Sequence, residues 1–260
     1  MKKFALLLAI VCAFTTPSPA RADSTLDDVI KRGTLIVGIS LGTPPYGITN
    51  AQMEPDGYDV GIARLLAREM GVKLQIVDIV AANRIPSLTS SKVDIVISSF
   101  SITAERAKAI AFTNTIYVDQ QVAVSAEGTT LTKLTDFKGK RIGVTRASTN
   151  DIVTTRLVTD ATIQRYDDDA STSQAILAGQ VDAIVSSRAL ALAIRDRNPA
   201  MKLAVKFVVA QAPMAIGLRR GDADMLHWLN TAIFMLWTTR DIQALQEKWF
   251  GAALDEMPRY

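Results

Sequence analysis

The sequence of residues 93–106, VDIVISSFSITAER, contains the pattern that repeats through the rest of the chain. Residues 93–97 are β-branched and nearly all apolar, which predicts a buried strand of the kind found in parallel sheets. Thr103 then predicts the N-cap of a helix, with Glu105 in its first turn. Arg106 is unexpected there, because a cation in the first turn opposes the helix dipole. Hydroxyls, backbone N–H groups and a guanidinium at one strand-to-helix junction form an anion site of carboxylate size; the alternative is a solvated arginine beside a Ser-rich loop.

Strands and helices alternate on both sides of this stretch, with short connections. Strands or extended segments are predicted at residues 34–40, 73–79, 117–125, 141–145, 162–166, 181–187, 203–209 and 214–218. Helices are predicted at residues 26–32, 59–70, 84–91, 151–159, 171–177, 188–195, 222–238 and 241–249. This alternation is typical of an α/β protein in which helices cover parallel sheets.

Two segments of the chain resemble each other, residues 88–99 and residues 177–187. Each contains a helix end, a Val-Asp pair, an apolar strand and a final Ser-Ser pair. One copy in each half indicates two similar α/β lobes, with both serine pairs at carboxyl ends of strands. Ligands of open α/β sheets bind at such ends. The alternative is a chance similarity between two buried strands.

The first 22 residues are predicted to be a signal peptide. Lys2 and Lys3 precede an apolar run at residues 4–14, and Ala20-Arg21-Ala22 is a cleavage site. The apolar run is too short to span a membrane, so we expect export to the periplasm and cleavage after Ala22. The single cysteine of the chain, Cys12, lies within this segment, so the mature protein is expected to have no disulfide bond.

The charge of the mature chain gives no argument for a polyanionic partner. The full chain has 29 basic and 26 acidic residues, and residues 1–22 contain three basic residues and no acidic one. The remainder is therefore neutral, and neither nucleic acid nor a membrane surface is an expected partner. One histidine, His227, and no mature cysteine exclude a structural zinc site, and we expect no metal and no cofactor. The acidic run 167–169 is interpreted as N-terminal charge for a helix, with calcium as the alternative.

Taken together, several motifs resemble the periplasmic amino-acid-binding proteins of ABC importers, the bacterial extracellular solute-binding proteins of family 3. The motifs are GTLIVG at 33–38, PPY at 44–46, GYDV at 57–60, IPSL at 85–88, KVD at 92–94, ITAER at 102–106, KGKRIGV at 138–144 and EKWFG at 247–251. The resemblance implies a two-lobed periplasmic-binding-protein fold of type II, with two parallel or mixed sheets, flanking helices and a ligand cleft between the lobes.

The resemblance also implies a division of the chain. Lobe 1 would comprise residues 24–117 and 213–260, and lobe 2 residues 122–209, with hinge crossings near 117–121 and 209–213. The lobes would close around a small-molecule ligand by hinge motion, and a membrane permease would recognise the closed form. The protein is expected to act as a monomer in transport, and a sensor role with a membrane kinase is the alternative.

The resemblance implies ligand-binding residues on both lobes. The guanidinium that holds the ligand α-carboxylate matches Arg106. Hydroxyl and backbone donors of the same lobe match Ser99 and Ser101, with Ser98 adjacent. The contribution of lobe 2 matches Ser148 and Thr149, which follow Ala147 at the start of a helix.

Arg84 is a second candidate cation. The pair Asn83-Arg84 is similar to the members that bind glutamate and aspartate, where the arginine holds a side-chain carboxylate. Arg84 also opposes the dipole of its predicted helix. The alternative is an exposed arginine at a helix start.

Three positions depart from the family pattern. Ser187 occupies the place of the aspartate that usually holds the ligand ammonium, and a serine cannot pair a charge. Thr43 replaces a stacking aromatic, which leaves Tyr46 as the nearest candidate, and Ala81 replaces a second aromatic. The expected ligand is a polar or acidic amino acid, and the alternative is a dicarboxylate, a keto acid or an N-substituted amino acid.

The resemblance extends to an enzyme class on the same scaffold, the cyclohexadienyl dehydratases. An acid catalyst would have to point into the cleft, and neither Ser-Ser strand end carries a carboxylate. We therefore expect a binding protein with no catalytic residues.

Overall fold

The computed structural model describes residues 24–253, so the predicted signal peptide lies outside the described residues. The α-helices of this range are α1 Thr25–Arg32, α2 Tyr58–Met70, α3 Arg84–Thr89, α4 Ala104–Ala107, α5 Thr149–Leu157, α6 Asp169–Leu177, α7 Arg188–Arg197, α8 Ala223–Thr238 and α9 Asp241–Phe250. The strands are β1 Thr34–Ile39, β2 Ile48–Thr49, β3 Pro55–Asp56, β4 Lys73–Asp78, β5 Ile95–Val96, β6 Ile110–Ala126, β7 Arg141–Thr145, β8 Thr162–Tyr166, β9 Ala183–Ser187 and β10 Leu203–Arg219. Among these helices, none has the length and apolar character needed to cross a membrane.

Eight strands form one mixed sheet in the order β4-β1-β5-β10-β6-β9-β7-β8. At one end β1 pairs in parallel with β4 and β5, and at the other β7 pairs in parallel with β8 and β9. The antiparallel pair β6 and β10 lies between these groups and bonds to both. The two sheets implied by the resemblance therefore share their two central strands.

Each parallel group has its own hydrophobic core, which makes the molecule two-lobed. The half that contains β1, here lobe 1, buries residues such as Leu35, Ile62 and Leu236 between its strands and the helices α2 and α8. The half that contains β7, here lobe 2, buries Ile184 and Leu190 against its own helices. Separate cores allow the lobes to move as units, because little apolar surface has to be exposed when they part.

The lobes are joined by the middle of β6 and β10, each of which is 17 residues long. The extended segments predicted separately at 203–209 and 214–218 are both parts of β10. Tyr117 pairs with Met214 and Gln121 with Ala210 across this junction. The register is regular between these two pairs and shifts on either side of them, between Val208 and Ala210 and between Met214 and Ala215. A change of twist in these two strands would move one lobe relative to the other.

Residues 93–106 form a shorter strand and a shorter helix than predicted. β5 spans only Ile95–Val96, although the N–H groups of Asp94 and Ile97 still bond to carbonyls of β1, at 2.8 and 3.0 Å. α4 begins after Thr103, as predicted, but ends after one turn because β6 starts at Ile110. A helix of one turn has little dipole, so the dipole argument for Arg106 carries no weight.

Candidate ligand-binding site

A small polar cavity lies where the strand ends of lobe 1 and lobe 2 meet, and its volume is about 20 Å³. Its lining is mostly polar and comes from both lobes and the crossing strands: Thr43, Arg84, Ser99, Ser101, Gln121, Ser148, Thr149, Asn150, Asp169, Ser187, Leu190 and Met214. This volume holds about one water molecule. An amino acid would enter only after the lobes separate.

Arg106 lies beside this cavity and bridges the two lobes. Its Nη1 donates to the carbonyl of Ser101 at 2.8 Å and to Thr149 Oγ1 at 3.0 Å, and its Nη2 donates to the carbonyl of Ala147 at 3.1 Å. The residue is 6% exposed. Burial, together with the charge of Arg84, lowers the pKa of its guanidinium to about 9. The guanidinium is therefore a cation that is destabilised by desolvation and held only by neutral hydrogen-bond acceptors.

Arg84 is buried as well, which contradicts the alternative of an exposed arginine at a helix start. It is 4% exposed, and its guanidinium makes two long hydrogen bonds, to Ser98 Oγ at 3.4 Å and to Ser99 Oγ at 3.5 Å. Burial lowers its pKa, while the charges of Asp169 and Asp59 oppose that change. Bonds of this length are weak, so the guanidinium can take a better acceptor.

Neither guanidinium forms an ion pair with any carboxylate of residues 24–253. Both lie over the ring of Phe100, with the guanidinium carbon of Arg106 at 5.0 Å and that of Arg84 at 5.3 Å from its centre. Two buried like charges without a directly paired carboxylate are costly, since desolvation of each costs several kcal/mol, and only Arg84 is under the influence of carboxylates at longer range, those of Asp169 and Asp59. This arrangement favours the binding of an anion between them.

A buried carboxylate holds the turn on which Ser99 lies. Ser99 has a positive φ of 40°, and its N–H donates to Asp59 Oδ2 at 2.7 Å. Burial raises the pKa of Asp59 to about 7, although the Ser99 N–H and the charge of Arg84 lower it. Asp59 does not line the cavity. Its role in the structure is to fix the Ser99 backbone in a conformation that a serine rarely adopts.

Two atoms of the cavity wall are buried without a hydrogen-bond partner, Ser101 Oγ and Gln121 Oε1. Ser101 is 1% exposed and Gln121 is 2% exposed. A hydroxyl can donate to a carboxylate, whereas an amide oxygen can only accept. Ser101 Oγ can therefore donate a hydrogen bond to an anionic group of a ligand, and Gln121 Oε1 can accept one from a ligand N–H or O–H group.

The predicted residues of lobe 2 lie at helix starts. Ser148 is the N-cap of α5 and accepts from the N–H of Asp151 at 3.1 Å. Ser187 is the N-cap of α7 and accepts from the N–H of Leu190 at 3.3 Å. A capping hydroxyl still has its own hydrogen, so both serines can donate to a ligand.

The structure does not bring Tyr46 to the cavity. Its side chain is 1% exposed, and its hydroxyl donates to Asp119 in the crossing strand β6. Its ring packs against Tyr117 and Phe250, at centre distances of 6.4 and 5.4 Å. Tyr46 is part of the packing beside the hinge, so the expectation that it contacts the ligand is corrected.

Four polar residues of the cavity were not predicted as contacts: Thr43, Gln121, Asn150 and Asp169. Asp169 could have been found, because it follows strand β8, and the ends of parallel strands carry ligand contacts. Its neighbours explain why it was assigned to the helix: Asp168 is the N-cap of α6, and Asp167 pairs with Arg146 at 3.3 Å. Gln121 belongs to no sequence motif that would mark it as a ligand contact.

Within residues 24–253, no group of three or more His, Cys, Asp or Glu side chains is arranged to hold a metal.

Comparison with known proteins identifies a matching family. Residues 35–252 match the family model described as bacterial extracellular solute-binding proteins, family 3. The L-cystine-binding protein TcyJ of Escherichia coli K12 is 28% identical over 249 residues, which is 95% of this chain and 93% of that protein.

Solved structures agree with the sequence comparison. The P235GK mutant of ArgBP from T. maritima superimposes with a TM-score of 0.82 at 31% identity and covers 87% of this chain and 99% of its own. The ancestral amino acid-binding protein AncCDT-1, a precursor of cyclohexadienyl dehydratase, gives a TM-score of 0.81 at 27% identity and covers 87% and 100%. Both similarities extend over most of this chain.

Proposed function

Because the chain belongs to the bacterial extracellular solute-binding proteins of family 3, we propose that it is the periplasmic binding component of an ABC importer. It captures a polar or acidic amino acid and presents it to a membrane permease. It is exported with cleavage after Ala22 and acts as a monomer. The proposal draws on relatives whose names include L-cystine-binding protein and ArgBP, an arginine-binding protein.

Closure of two lobes is the proposed mode of capture. In this proposal lobe 1 comprises residues 24–117 and 213–260, of which 254–260 lie outside the described residues. Lobe 2 comprises residues 122–209, and the hinges lie near 117–121 and 209–213. Cross-lobe hydrogen bonds from Arg106 would break on opening and be replaced by bonds to the ligand on closing. The present cavity of about 20 Å³ supports this sequence of events, because an amino acid does not fit without it.

The observation that carries the proposal is the pair of buried guanidiniums without an ion pair among residues 24–253. Arg106 would hold the ligand α-carboxylate, aided by Ser101 Oγ, which has no partner. Thr149 now accepts from Arg106 and would turn its hydroxyl to donate to the same carboxylate. Charge-assisted bonds of this kind contribute about 1.5–3 kcal/mol each.

Arg84 is proposed to bind a second acidic or polar group of the ligand, together with Ser98 and Ser99.

Replacing Arg84 by alanine should weaken the binding of L-glutamate by about 10- to 100-fold and that of L-alanine by less than about threefold, because only L-glutamate has a second carboxylate. Isothermal titration calorimetry with both ligands measures this. An equal loss for both would contradict the role in side-chain recognition. The control is Arg32→Ala, which removes an arginine that is paired with Asp94 and does not line the cavity.

An amine-free ligand is the second candidate, and Ser187 is the observation that favours it. Its hydroxyl caps α7 and carries no charge, at the place where the resemblance implies an aspartate. A dicarboxylate, a keto acid or an N-substituted amino acid would not need a counter-charge there.

A cyclohexadienyl-dehydratase-like enzyme is the remaining alternative, and we propose that the protein is not one. The ends of the two Ser-Ser strands carry no carboxylate, although Asp169 does reach the cavity from the end of β8. The matched relatives are named as binding proteins, and AncCDT-1 itself is described as an amino acid-binding protein.

A thermal-shift screen tests the proposed function. The protein is unfolded in guanidinium chloride, dialysed and refolded to remove bound solutes, then heated with each common amino acid, cystine, glutarate and 2-oxoglutarate. A ligand at one hundred times its Kd stabilises the fold by about 2.7 kcal/mol, a rise of about 5–10 °C for a chain of this size. The proposal fails if no small carboxylate raises Tm, and recovery of a chemically altered ligand would support the enzyme alternative.

A further inference from the structure

Asp169 brings a carboxylate into a cavity whose other charged lining residue is Arg84. Asp169 is the first residue of α6, directly after the segment that leaves β8. Its Oδ1 accepts from Thr145 Oγ1 at 2.5 Å, and its Oδ2 accepts from Thr43 Oγ1 at 2.7 Å. Both donors are neutral, and Asp169 is in no ion pair with residues 24–253. A carboxylate oxygen accepts more than one hydrogen bond, so each oxygen can take another donor.

Gln121 provides a second acceptor in the same cavity. Its Oε1 is buried without a partner, and the residue is 2% exposed. Gln121 lies opposite Ser187 in the pairing of β6 with β9. An orphaned acceptor of this kind is costly unless a donor reaches it. A ligand N–H group is such a donor.

We propose that Asp169 and Gln121 form a subsite for a protonated amine of the ligand. The counter-charge absent at Ser187 is supplied from the end of a different strand of lobe 2. This inference rests on the proposed function and selects between its two ligand classes: the ligand is a zwitterionic amino acid and not an amine-free dicarboxylate or keto acid.

The charges of the site agree with this assignment. The two guanidiniums of Arg84 and Arg106 require anionic groups, and Asp169 requires a cationic one. A ligand with both signs satisfies all three residues. A purely anionic ligand would bring further negative charge close to Asp169, whose own charge acts on Arg84 alone among the lining residues. The bond from Thr43 to Asp169 crosses between the lobes, so the subsite would be completed only on closure.

The test uses matched ligands that differ only in the amine: L-glutamate and glutarate, L-glutamine and glutaramate, L-histidine and imidazole-4-propionate, L-arginine and 5-guanidinopentanoate. Calorimetry should give the refolded wild-type protein a preference of at least about 100-fold for the amine-bearing member of the pair that binds best. Asp169→Asn, which keeps the size and the acceptor oxygen, should reduce this preference by about 10- to 100-fold with the amine-free affinity unchanged or higher.

Three further variants separate this role from a structural one. Asp168→Asn alters the neighbouring cap outside the cavity and should leave the preference unchanged. Gln121→Met should also reduce the preference for the amine-bearing ligand, as Asp169→Asn does. Thr43→Val removes the cross-lobe bond, and if Asp169 were only a latch, this variant and Asp169→Asn would weaken both members of a pair equally.

The outcomes distinguish the inference from the function on which it rests. Binding of amine-bearing and amine-free members with equal affinity by the wild-type protein overturns the amine subsite and leaves the proposed function intact. A preference that survives in Asp169→Asn also overturns it. If another amino acid raises Tm in the thermal-shift screen and none of the eight compounds binds, the same comparison is made with that amino acid and its amine-free analogue. If no small carboxylate binds at all, the proposed function fails together with the inference.

Discussion

Replacing Arg106 by alanine should lower ligand affinity by at least about 100-fold while the protein remains folded. Truncation of one partner in a buried, hydrogen-bonded charge pair costs about 2–5 kcal/mol. Arg106 is buried and donates in both directions across the cleft, to Ser101 in one lobe and to Ala147 and Thr149 in the other. The ligand carboxylate would lose its main donor, and closure would lose a bridge between the lobes.

The fold is expected to tolerate this change, because the guanidinium is an unfavourable group where it lies. Burial lowers its pKa to about 9 even in the presence of three neutral acceptors. Removal of a buried cation with no ion pair among the described residues should therefore leave Tm unchanged or slightly raised in the absence of ligand.

Two variants complete this experiment. Arg106→Lys keeps the charge and loses the bidentate geometry, so an intermediate loss of about tenfold is expected. Arg146→Ala removes an exposed arginine from the adjacent turn of lobe 2 and serves as the control for net charge. Calorimetry that finds wild-type affinity in Arg106→Ala would reject the carboxylate assignment outright.

Replacing Gly57 by alanine should destabilise the fold by about 3 kcal/mol or more. Gly57 precedes α2 with φ 125° and ψ 176°, a region of backbone space essentially reserved for glycine. A Cβ at this position would lie 2.3 Å from the carbonyl oxygen of Tyr46, which accepts from the N–H of Asp59. The alanine methyl group and the Tyr46 carbonyl cannot occupy these positions together, so the backbone of one of the two segments must move.

The displaced segment is the loop that brings Thr43 to the cavity and Tyr46 to the hinge, so ligand affinity should fall as well. Gly71→Ala is the matched control. Gly71 also has a positive φ, 68°, but no atom lies within 4 Å of the position its Cβ would take. The control should cost only about 1–2 kcal/mol, the strain of a left-handed conformation.

Guanidinium chloride unfolding, followed by tryptophan fluorescence, measures both variants. If Gly57→Ala and Gly71→Ala lose the same free energy of unfolding, the close approach to Tyr46 is not what requires glycine at position 57. In that case the conformation of the backbone alone would account for both residues.

Much of the architecture could be predicted from local sequence. The bounds of β7 and β8 were predicted without error, and α2 begins within one residue of its prediction and ends at the predicted glycine. Hydrophobic periodicity, N-cap side chains and C-terminal glycines are local features, so they are legible in one sequence. The full length of β10 was not predicted. Its alternation of buried and exposed residues changes where the strand passes from one lobe to the other, so the sequence suggests two separate strands.

The structure brings together some of the predicted site residues and not others, and the reason for the difference is physical. Arg106, Ser101, Ser148 and Thr149 belong to local strand-to-helix motifs, and the structure brings them together. Tyr46 was misplaced because loop residues next to a hinge have no periodicity that tells a buried side from an open one.

The amino-acid sequence is sufficient to predict most of the secondary structure, the two-lobed α/β class and the family, and it also predicts an anion site at residues 98–106. Each of these depends on spacing along the chain. The meeting of Asp169 with Gln121 required the folded molecule, since one follows an outer strand of lobe 2 and the other lies in the crossing strand β6. The sign and number of charges facing a ligand are thus set by which strand ends close on one another, and no local pattern records that.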